Sequence, residues 1–302
     1  MKLFVAAIIK NEMDALLEWV AYHRVVGVSG FIIADNGSND GSRALLDGLE
    51  KLGIVTVLDF PTIEGQKPQL PAYERILRSC SRDSDLLAFI DADEFLLPLS
   101  PDLNVVDFFA AHFADESVSA MALNWSNFGS NGELFAGEGL VTERFTRRAS
   151  QQFNANKNFK SIVRPNRISH FHNPHFAELR FGRYIDTQGN DLVLHPKHGN
   201  GVSAEVLWSW VRVNHYVVKS LEEFLLGKHL RGSAATANRV KHQAYFKAHD
   251  RNDETCLLAA ALVPKVKAEM AAIQAQLGAL PEEDSPQKSG SWLASRVKKL
   301  IG

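Results

Sequence analysis

Cysteine is scarce in this sequence, since only Cys80 and Cys256 occur among its 302 residues. Two cysteines do not form the disulfide framework of a small secreted domain, and they do not complete a zinc-binding pattern. Uninterrupted apolar runs are also short, and none approaches the roughly 20 residues that a membrane-spanning helix requires. The apolar segment 3–9 is too short for a signal peptide, and Glu12 and Asp14 follow it in place of a cleavage site. The expected location is therefore the cytoplasm.

The sequence also lacks a large excess of positive or negative charge. The formal net charge is -2, so the sequence provides no basic field that would indicate a nucleic-acid partner. Hydrophobic residues make up 45% of the chain and charged residues 23%, which is typical of a globular protein with a packed core. The length allows one large domain or two modest ones.

The first ninety residues alternate short apolar runs with amphipathic helical patterns. Predicted strands cover residues 3–9, 31–34, 54–58 and 86–90, and the predicted helices between them end at Gly27, at Gly53 and near Ser81. This alternation predicts an α/β fold of Rossmann-like type, with a mostly parallel central sheet and helices on both faces. Ligands of such sheets bind beyond the carboxyl ends of the strands.

Two carboxylates, Asp91 and Asp93, directly follow the fourth predicted strand. A hard divalent cation such as Mn²⁺ or Mg²⁺ prefers oxygen ligands, and two acids separated by one residue at a strand end can both reach one ion. A short Asp-x-Asp pattern is also common in loops and helix caps. The apolar strand in front, together with polar clusters around Asn11 and Asp35 at neighbouring strand ends, favours the metal site.

The turn after the second predicted strand carries a recognisable pattern. Residues 35–42, DNGSNDGS, resemble the DDGSxDGS signature of family 2 glycosyltransferases, with Asn36 replacing the second acid. A longer series over roughly residues 3–255 is more similar still to family 92. Its pieces are, in chain order, Lys10-Asn11-Glu12, Glu18-Trp19, Tyr22-His23, Gly27, Phe89-Ile90-Asp91-Ala92-Asp93-Glu94-Phe95, Asn214-His215-Tyr216, Lys219-Ser220, Glu222-Glu223-Phe224, Lys228 and Arg231-Gly232. Each piece is weak alone, but their combination in this order is specific.

The resemblance implies a glycosyltransferase A fold and a metal-dependent transfer of a hexose. The expected donor is a nucleotide sugar, with UDP as the nucleotide, and the expected acceptor is a saccharide or lipid-linked saccharide in surface glycan assembly. Inversion at the anomeric carbon is expected. The alternatives are a nucleotidyltransferase on a similar sheet and a non-catalytic nucleotide-sugar-binding module. A nucleotidyltransferase should have a glycine-rich loop after the first strand, and residues 10–13 contain no glycine.

The resemblance also assigns residues to the donor site. By position, the donor-binding residues are Asn11, Glu12, Asp35, Lys67, Gln69, Asp91 and Lys219, and the metal ligands are Asp91, Asp93 and His215. Several of these have an ordinary structural alternative: Asn11 as a helix cap, Asp35 as a turn residue and His215 as a structural histidine.

The acceptor side is less defined. Trp125 and Phe128, beside Gly129 and Gly132, resemble a platform on which a sugar ring stacks, although Trp125 could equally belong to the core. An inverting enzyme needs a base for the acceptor hydroxyl. The candidates are Glu133, Glu178, Asp186 and Glu205, and their distance downstream of Asp93 favours Glu178 or Asp186 as the catalytic residue.

The proposed division of the chain follows the same resemblance. A catalytic domain covers residues 1–255, with a donor half to about 125, an acceptor half over about 126–220 and closing helices over 221–255. A C-terminal helix over 256–280 and a polar linker with a short basic tail over 281–302 complete it. The tail separates Trp292 and Ile301 from Lys298 and Lys299 on a short helix. Such a segment could lie on an anionic membrane surface, and the alternatives are a frayed tail or a helix docked on the body of the protein.

Overall fold

The computed structural model describes residues 1–63, 65–80, 85–100, 103–229 and 241–280. Its first part alternates strands and helices, with β1 at Lys2–Ile9, α1 at Met13–Val25, β2 at Gly30–Asp35, α2 at Ser42–Lys51, β3 at Val55–Asp59, α3 at Gln69–Ser79 and β4 at Asp85–Phe89. The elements predicted from the apolar pattern are all found, with boundaries shifted by no more than about two residues. Gly27 lies just beyond α1 with a φ of 107°, a conformation that glycine adopts without strain.

The second part is richer in short elements. They are β5 at Glu94–Pro98, α4 at Val105–Phe113, β6 at Val118–Asn127, α5 at Val141–Arg144, β7 at Arg147–Arg148, β8 at Phe159–Val163, β9 at Ile168–Asn173, β10 at Phe176–Leu179, β11 at Arg183–Ile185, β12 at Leu194–His195, β13 at Gly199–Ser203, β14 at Val211–His215, α6 at Leu221–Phe224, α7 at Gln243–His249, β15 at Glu254–Thr255 and α8 at Val263–Gly278. Helix α6 continues as a π-helix over Leu225–His229.

Within the described residues, nine strands form one central sheet in the order β3-β2-β1-β4-β8-β6-β14-β5, with β11 added beside β6. Strands β3, β2, β1 and β4 are parallel, and so are β6 and β14, whereas β8 and β5 run antiparallel to their neighbours. The predicted fold class, α/β with a mostly parallel sheet and helices, is confirmed. In this order the carboxyl ends of β1, β2 and β4 lie side by side, as expected of a ligand site.

Helix α1 supports the strand that follows the carboxylate pair. Trp19 on this helix is fully buried, and its indole N–H donates a hydrogen bond of 2.8 Å to the carbonyl oxygen of Glu94 on β5. Phe95 on the same strand packs edge-on against the ring of Tyr22, with centroids 5.0 Å apart. The apolar face of α1 therefore fixes the start of β5 immediately after Asp93.

His23 on α1 gives this packing a pH dependence. The ring is fully buried, its Nδ1 donates to the carbonyl oxygen of Trp19 at 2.8 Å, and its Nε2 accepts from the backbone N–H of Leu96 at 3.2 Å. Both nitrogens are used by the neutral ring, and burial lowers the pKa of His23 from 6.5 to about 3.

We expect the free energy of unfolding to fall as the pH is lowered from about 6.5 towards 3. In this pH window His23 is protonated in the unfolded chain but neutral in the folded chain. The free energy of unfolding therefore falls by at most about 1.4 kcal/mol for each pH unit. Urea unfolding at pH 7.5 and 5 measures the effect. His23→Gln should show a smaller loss between these pH values than the natural chain, and an equal loss would contradict the assignment.

The C-terminal part is described only as far as residue 280. Helix α8 packs on α1, and Arg24 Nε lies 2.5 Å from Glu269 Oε1 across that contact. Within the predicted C-terminal helix over 256–280, the structure has a 3₁₀ turn at Ala260–Leu262 followed by α8. The predicted linker and tail over 281–302, and Arg231-Gly232, lie outside the described residues. Among the helices of the described part, none has both the length and the apolar character needed to cross a bilayer.

Candidate functional site

Asp91 lies directly beyond β4 at the carboxyl edge of the sheet. Its Oδ1 accepts hydrogen bonds from Gln69 Nε2 at 2.9 Å and from the hydroxyl of Tyr73 at 3.3 Å, both on α3. Its Oδ2 lies 3.0 Å from the ammonium of Lys160 on β8. About a third of the side chain remains exposed, so Asp91 is held on three sides and open on the remaining one.

Lys160 and Glu94 lie beneath Asp91 and are both completely buried. The Lys160 ammonium is 3.2 Å from Glu94 Oε2, which also accepts the backbone N–H of Asp91 at 2.8 Å. Burial raises the pKa of Glu94 to about 8, and Lys160 only partly opposes that rise. Burial would lower the pKa of Lys160, but Asp91 and Glu94 hold it well above its ordinary value. Lys160 is therefore a fixed positive charge that holds the turn after β4.

Asp93 faces a different set of partners. Its carboxylate forms an ion pair with Lys228 in the π-helix, and its Oδ2 lies 3.5 Å from His215 Nε2 at the end of β14. Lys228 also donates a hydrogen bond of 2.6 Å to the carbonyl oxygen of Val217. Burial opposes ionisation of Asp93, but Lys228 and His215 hold its pKa well below the usual range. The carboxylate is therefore ionised at neutral pH.

The donor set of Asp91, Asp93 and His215 fits a divalent cation chemically. Two carboxylates and an imidazole nitrogen are ligands that Mn²⁺ accepts, and burial lowers the pKa of His215 to about 4, so its ring is neutral and able to bind metal. Within the described part of the chain, His215 Nδ1 is buried without a hydrogen-bond partner. As the residues stand, however, no group of three or more His, Cys, Asp or Glu side chains in that part is gathered around one metal position. Lys228 is the cationic partner of Asp93 in this arrangement.

The turn after β2 is connected to the turn after β1. Asn11, at a φ of 56°, exchanges hydrogen bonds with Asn39: its Nδ2 donates to Asn39 Oδ1 at 3.0 Å and its Oδ1 accepts the Asn39 N–H at 2.8 Å. The residue preceding α1 is Glu12, so the predicted helix-capping role of Asn11 is replaced by this link between turns. Glu12 itself donates its backbone N–H to Ser42 Oγ at 2.9 Å.

Asp35 is buried at the end of β2. Its carboxylate faces the backbone N–H of Ser38 at 3.3 and 3.4 Å and lies 3.8 Å from Arg43 Nη1. Asn36 has a structural role, since its Nδ2 donates to the carbonyl oxygen of Phe60 at 2.7 Å and its Oδ1 accepts from Thr62 Oγ1 at 2.7 Å. Asn36 thereby holds the loop that follows β3.

A pocket of about 210 Å³ opens beside the loop that follows β3. Its lining consists of Asp59, Phe60, Pro61, Ile63, Gln66, Pro68, Pro71 and Arg75. The pocket combines apolar walls with an amide, a carboxylate and a guanidinium. It lies next to the Asp35 turn because Phe60 donates its backbone N–H to the carbonyl oxygen of Asp35 at 2.9 Å.

The remaining predicted donor residues differ in their positions. Gln69 is buried and bonded to Asp91, whereas Lys67 is exposed in the loop before α3. Lys219, at a φ of 55°, precedes α6. Burial raises the pKa of Glu18 although the charge of Lys219 opposes the rise, whereas hydrogen bonds from Arg144 and Ser220, together with Lys219, lower the pKa of Glu223. The lysine that reaches Asp93 is Lys228, which belongs to the family pattern and which the sequence, like Lys219, offers as a neutralising charge for phosphate or as an exposed lysine of a helix. Lys160 carried no local signal, because its partners lie in distant segments.

The two predicted platform aromatics lie in different environments. Trp125 lies at the site, with its ring 4.2 Å from the His215 ring and 4.9 Å, edge-on, from the His175 ring. Phe128 is 1% exposed and packs against Tyr216 at 4.7 Å. A ring so deeply buried presents no face to a sugar, so Phe128 belongs to the core rather than to an acceptor platform.

The predicted bases have surroundings that differ from one another. Glu178 is an exposed residue of β10, opposite His170. Asp186 caps a turn, because its Oδ1 accepts the backbone N–H groups of Gln188 at 2.7 Å and Asn190 at 3.1 Å. It borders a separate pocket of about 350 Å³ together with Glu205. Glu133 is paired with Arg144 at 2.7 Å.

Comparison with known sequences gives a family. The family model for glycosyltransferase family 92 matches residues 6–224. A family 92 protein of Oryza sativa subsp. japonica is 27% identical over 206 residues, which are 64% of this chain and 33% of the relative. One from Ricinus communis is 29% identical over 242 residues, 77% of this chain and 38% of the relative. The chain thus spans about a third of the length of the curated relatives it matches.

Solved structures show a weaker likeness. A mannosyltransferase from Pyrobaculum calidifontis, in complex with GDP-Man and Mn²⁺, matches 100% of this chain and 81% of its own with a TM-score of 0.39 and 12% identity. S. aureus TarS 1-349 in complex with UDP-GlcNAc matches 55% of this chain and 46% of its own, with a TM-score of 0.37 and 14% identity.

Proposed function

Because this chain belongs to glycosyltransferase family 92, we propose that it transfers a hexose from a nucleotide sugar to a saccharide or lipid-linked saccharide acceptor. The nucleotide of the proposal is UDP, and the reaction inverts the anomeric carbon. One observation carries this proposal: Asp91, Asp93 and His215 lie at one edge of the sheet with the Asp35 turn and an adjoining pocket. A nucleotide sugar has a diphosphate with a sugar on one side and a nucleoside on the other. Its site must therefore be long, with polar groups for the diphosphate and apolar walls for the base.

The nucleoside part fits the side of the site formed by β2 and β3. Asp35 offers a buried carboxylate as an acceptor for ribose hydroxyls, and the backbone around it is fixed by Asn11 and Asn36. The pocket beyond β3 offers the ring of Phe60 and neighbouring prolines to a base, with Gln66 and Arg75 as hydrogen-bonding groups. We assign Lys67 to the outer rim of this pocket because it is exposed in the same loop.

The diphosphate and sugar fit the other side, beyond β4. Asp91, Asp93 and His215 would hold Mn²⁺ or Mg²⁺, which neutralises the diphosphate as it departs. Lys228 provides a second positive charge beside Asp93 and Lys160 a fixed one beneath Asp91. Trp125 offers an aromatic face to the acceptor. The acceptor hydroxyl also requires a base, for which the sequence predicts Glu178 or Asp186. Lys219 is proposed to support the phosphates by its charge.

We expect nucleotide hexoses to stabilise the protein against heat, with the largest effect when Mn²⁺ is present. A ligand at a hundredfold excess over its Kd should raise the Tm by roughly 5 °C. UDP-glucose, UDP-galactose, GDP-mannose and a CMP-sugar, each with Mn²⁺ and with a chelator, form the screen. Asp35→Ala should weaken nucleotide binding at least tenfold by calorimetry.

Asp115→Ala is the matched control, because Asp115 is an exposed acid paired with Arg183 at 3.4 Å on another part of the surface. It should bind like the natural chain. A lack of stabilisation by every nucleotide sugar, with and without Mn²⁺, would contradict the proposed donor class.

A further inference from the structure

His175, in the turn between β9 and β10, has one ring nitrogen fixed by the fold. Its Nδ1 lies 3.0 Å from the carbonyl oxygen of Phe159, the first residue of β8. A carbonyl oxygen only accepts hydrogen bonds, so Nδ1 must carry the ring proton. In the neutral ring, Nε2 therefore has a free lone pair. Among the contacts of the described residues, none is a hydrogen bond to this Nε2, and the side chain is only half-buried.

The backbone of His175 is fixed from three directions. Ser161 Oγ donates to its carbonyl oxygen at 2.6 Å, and Asn173 Oδ1 accepts its N–H at 2.8 Å. Gly201 on β13 packs against it so closely that a Cβ at position 201 would lie 2.8 Å from the Cβ of His175. Ring and backbone are therefore both held in place, as is required of a residue that acts on a substrate.

The ring lies at the edge of the sheet where the donor site is. Strand β8 runs antiparallel to β4 with Ala88 opposite Ile162, so the start of β8 is next to the turn that contains Asp91. The rings of His175 and Trp125 meet edge-on, and the Trp125 ring also contacts that of His215. The charges of Lys160 and Asp91 both act on the ring. The ring of Trp125 thus lies between those of His175 and His215, so that His175 is on the acceptor side of the metal-ligand candidates.

We propose that His175 Nε2 is the base that takes the proton from the attacking acceptor hydroxyl. The inference rests on the proposed function. In this step the acceptor oxygen forms a bond to the anomeric carbon, and the bond from that carbon to the phosphate oxygen breaks. The electron pair leaves with the nucleoside diphosphate, and the hydroxyl proton moves to Nε2. No further reactant is required.

The charge environment agrees with this role. Burial and Lys160 lower the pKa of His175 to about 4, so the ring enters the reaction unprotonated at neutral pH. A bound diphosphate adds negative charge near the ring and favours its protonated form. Asp186, in contrast, already accepts two backbone N–H groups, and Glu178 projects from an exposed position of β10.

The test uses hydrolysis of UDP-glucose or UDP-galactose, in which water replaces the acceptor and UDP release is measured. Replacing His175 with alanine should lower kcat by about a hundredfold or more, while the calorimetric Kd for the UDP-hexose stays within twofold. Imidazole in solution should restore part of the lost rate. A residue with a purely structural role would not respond to imidazole. His172→Ala, an exposed histidine of the neighbouring strand, is the matched control and should hydrolyse at the natural rate.

Two further variants keep the outcome decisive if His175→Ala does not fold. His175→Gln keeps a polar group beside Phe159 but accepts no proton, and it should lose hydrolysis to the same degree. Normal hydrolysis by His175→Gln, together with loss in Glu178→Gln, would overturn the assignment in favour of Glu178. Full activity of His175→Ala, or a loss that imidazole leaves unchanged, would also overturn it. If the natural chain binds and hydrolyses none of the nucleotide hexoses, the proposed function itself fails.

Discussion

Replacing Asp93 with asparagine is expected to lower UDP-hexose turnover on the order of a hundredfold or more. The Tm should also fall, because the buried ion pair with Lys228 is lost. The substitution keeps the shape of the side chain and removes its charge. Lys228 then loses its ionic partner, and His215 Nε2 loses the carboxylate that lies 3.5 Å away. Both groups that would organise a cation or a diphosphate at this point are affected. UDP release under saturating donor, with Mn²⁺ titrated, measures the loss.

Asp115→Asn provides the control for this experiment. It removes one negative charge from an exposed position that contacts Arg183, so it changes the net charge of the chain equally. We expect its turnover to equal that of the natural chain. Turnover of Asp93→Asn within twofold of the control would show that Asp93 does not stabilise the departing diphosphate.

The donor edge of the fold could be predicted from the sequence because its signals are local. The apolar run before Asp91 indicates a buried strand, and parallel strands bring their carboxyl ends to one edge. The turn around Asp35 could be located from the glycines and acids of residues 35–42 alone. These residues lie on separate strands, but the alternation of strands and helices was sufficient to bring them together.

The ionic partners of the two carboxylates could not be predicted in this way. Lys160 lies 69 residues beyond Asp91, in a segment whose sequence carries no motif. A buried lysine becomes recognisable only when the sheet order places β8 beside β4. Lys228 reaches Asp93 from a π-helical segment, and the helical pattern after residue 221 did not distinguish a π-helix from an α-helix.

Burial was the second property that local sequence did not provide. Phe128 next to Gly129 suggested an exposed aromatic beside a flexible loop. In the structure Gly129 is tightly packed, since a Cβ there would lie 2.5 Å from the carbonyl oxygen of Arg251. Phe128 is covered by Tyr216, the residue that follows β14. Both contacts join segments far apart in the chain, so only the tertiary structure places Phe128 in the core.

The buried ion pair beneath Asp91 gives the largest expected effect on stability. Lys160→Met preserves most of the side-chain volume and removes the ammonium that Asp91 and Glu94 share. Breaking a buried pair by removing one partner leaves the other charge uncompensated, at a cost of about 3 kcal/mol. We place the cost at the low end because Asp91 remains a third exposed, and because Glu94, with its pKa raised to about 8, already carries a proton for most of the time at pH 7. Urea unfolding at pH 7 measures it.

A double variant separates the charge effect from packing. Adding Glu94→Gln to Lys160→Met removes the buried acid that loses its partner, and it should recover part of the lost free energy of unfolding. The pH dependence has a defined sign. Since Glu94 in the folded chain keeps its proton up to about pH 8, but in the unfolded chain only to about 4.5, its contribution to stability decreases as the pH rises between these values. Glu94→Gln should remove that decrease. An unchanged free energy of unfolding in Lys160→Met would mean that the ammonium does not hold the turn, and that its charge serves the bound diphosphate alone.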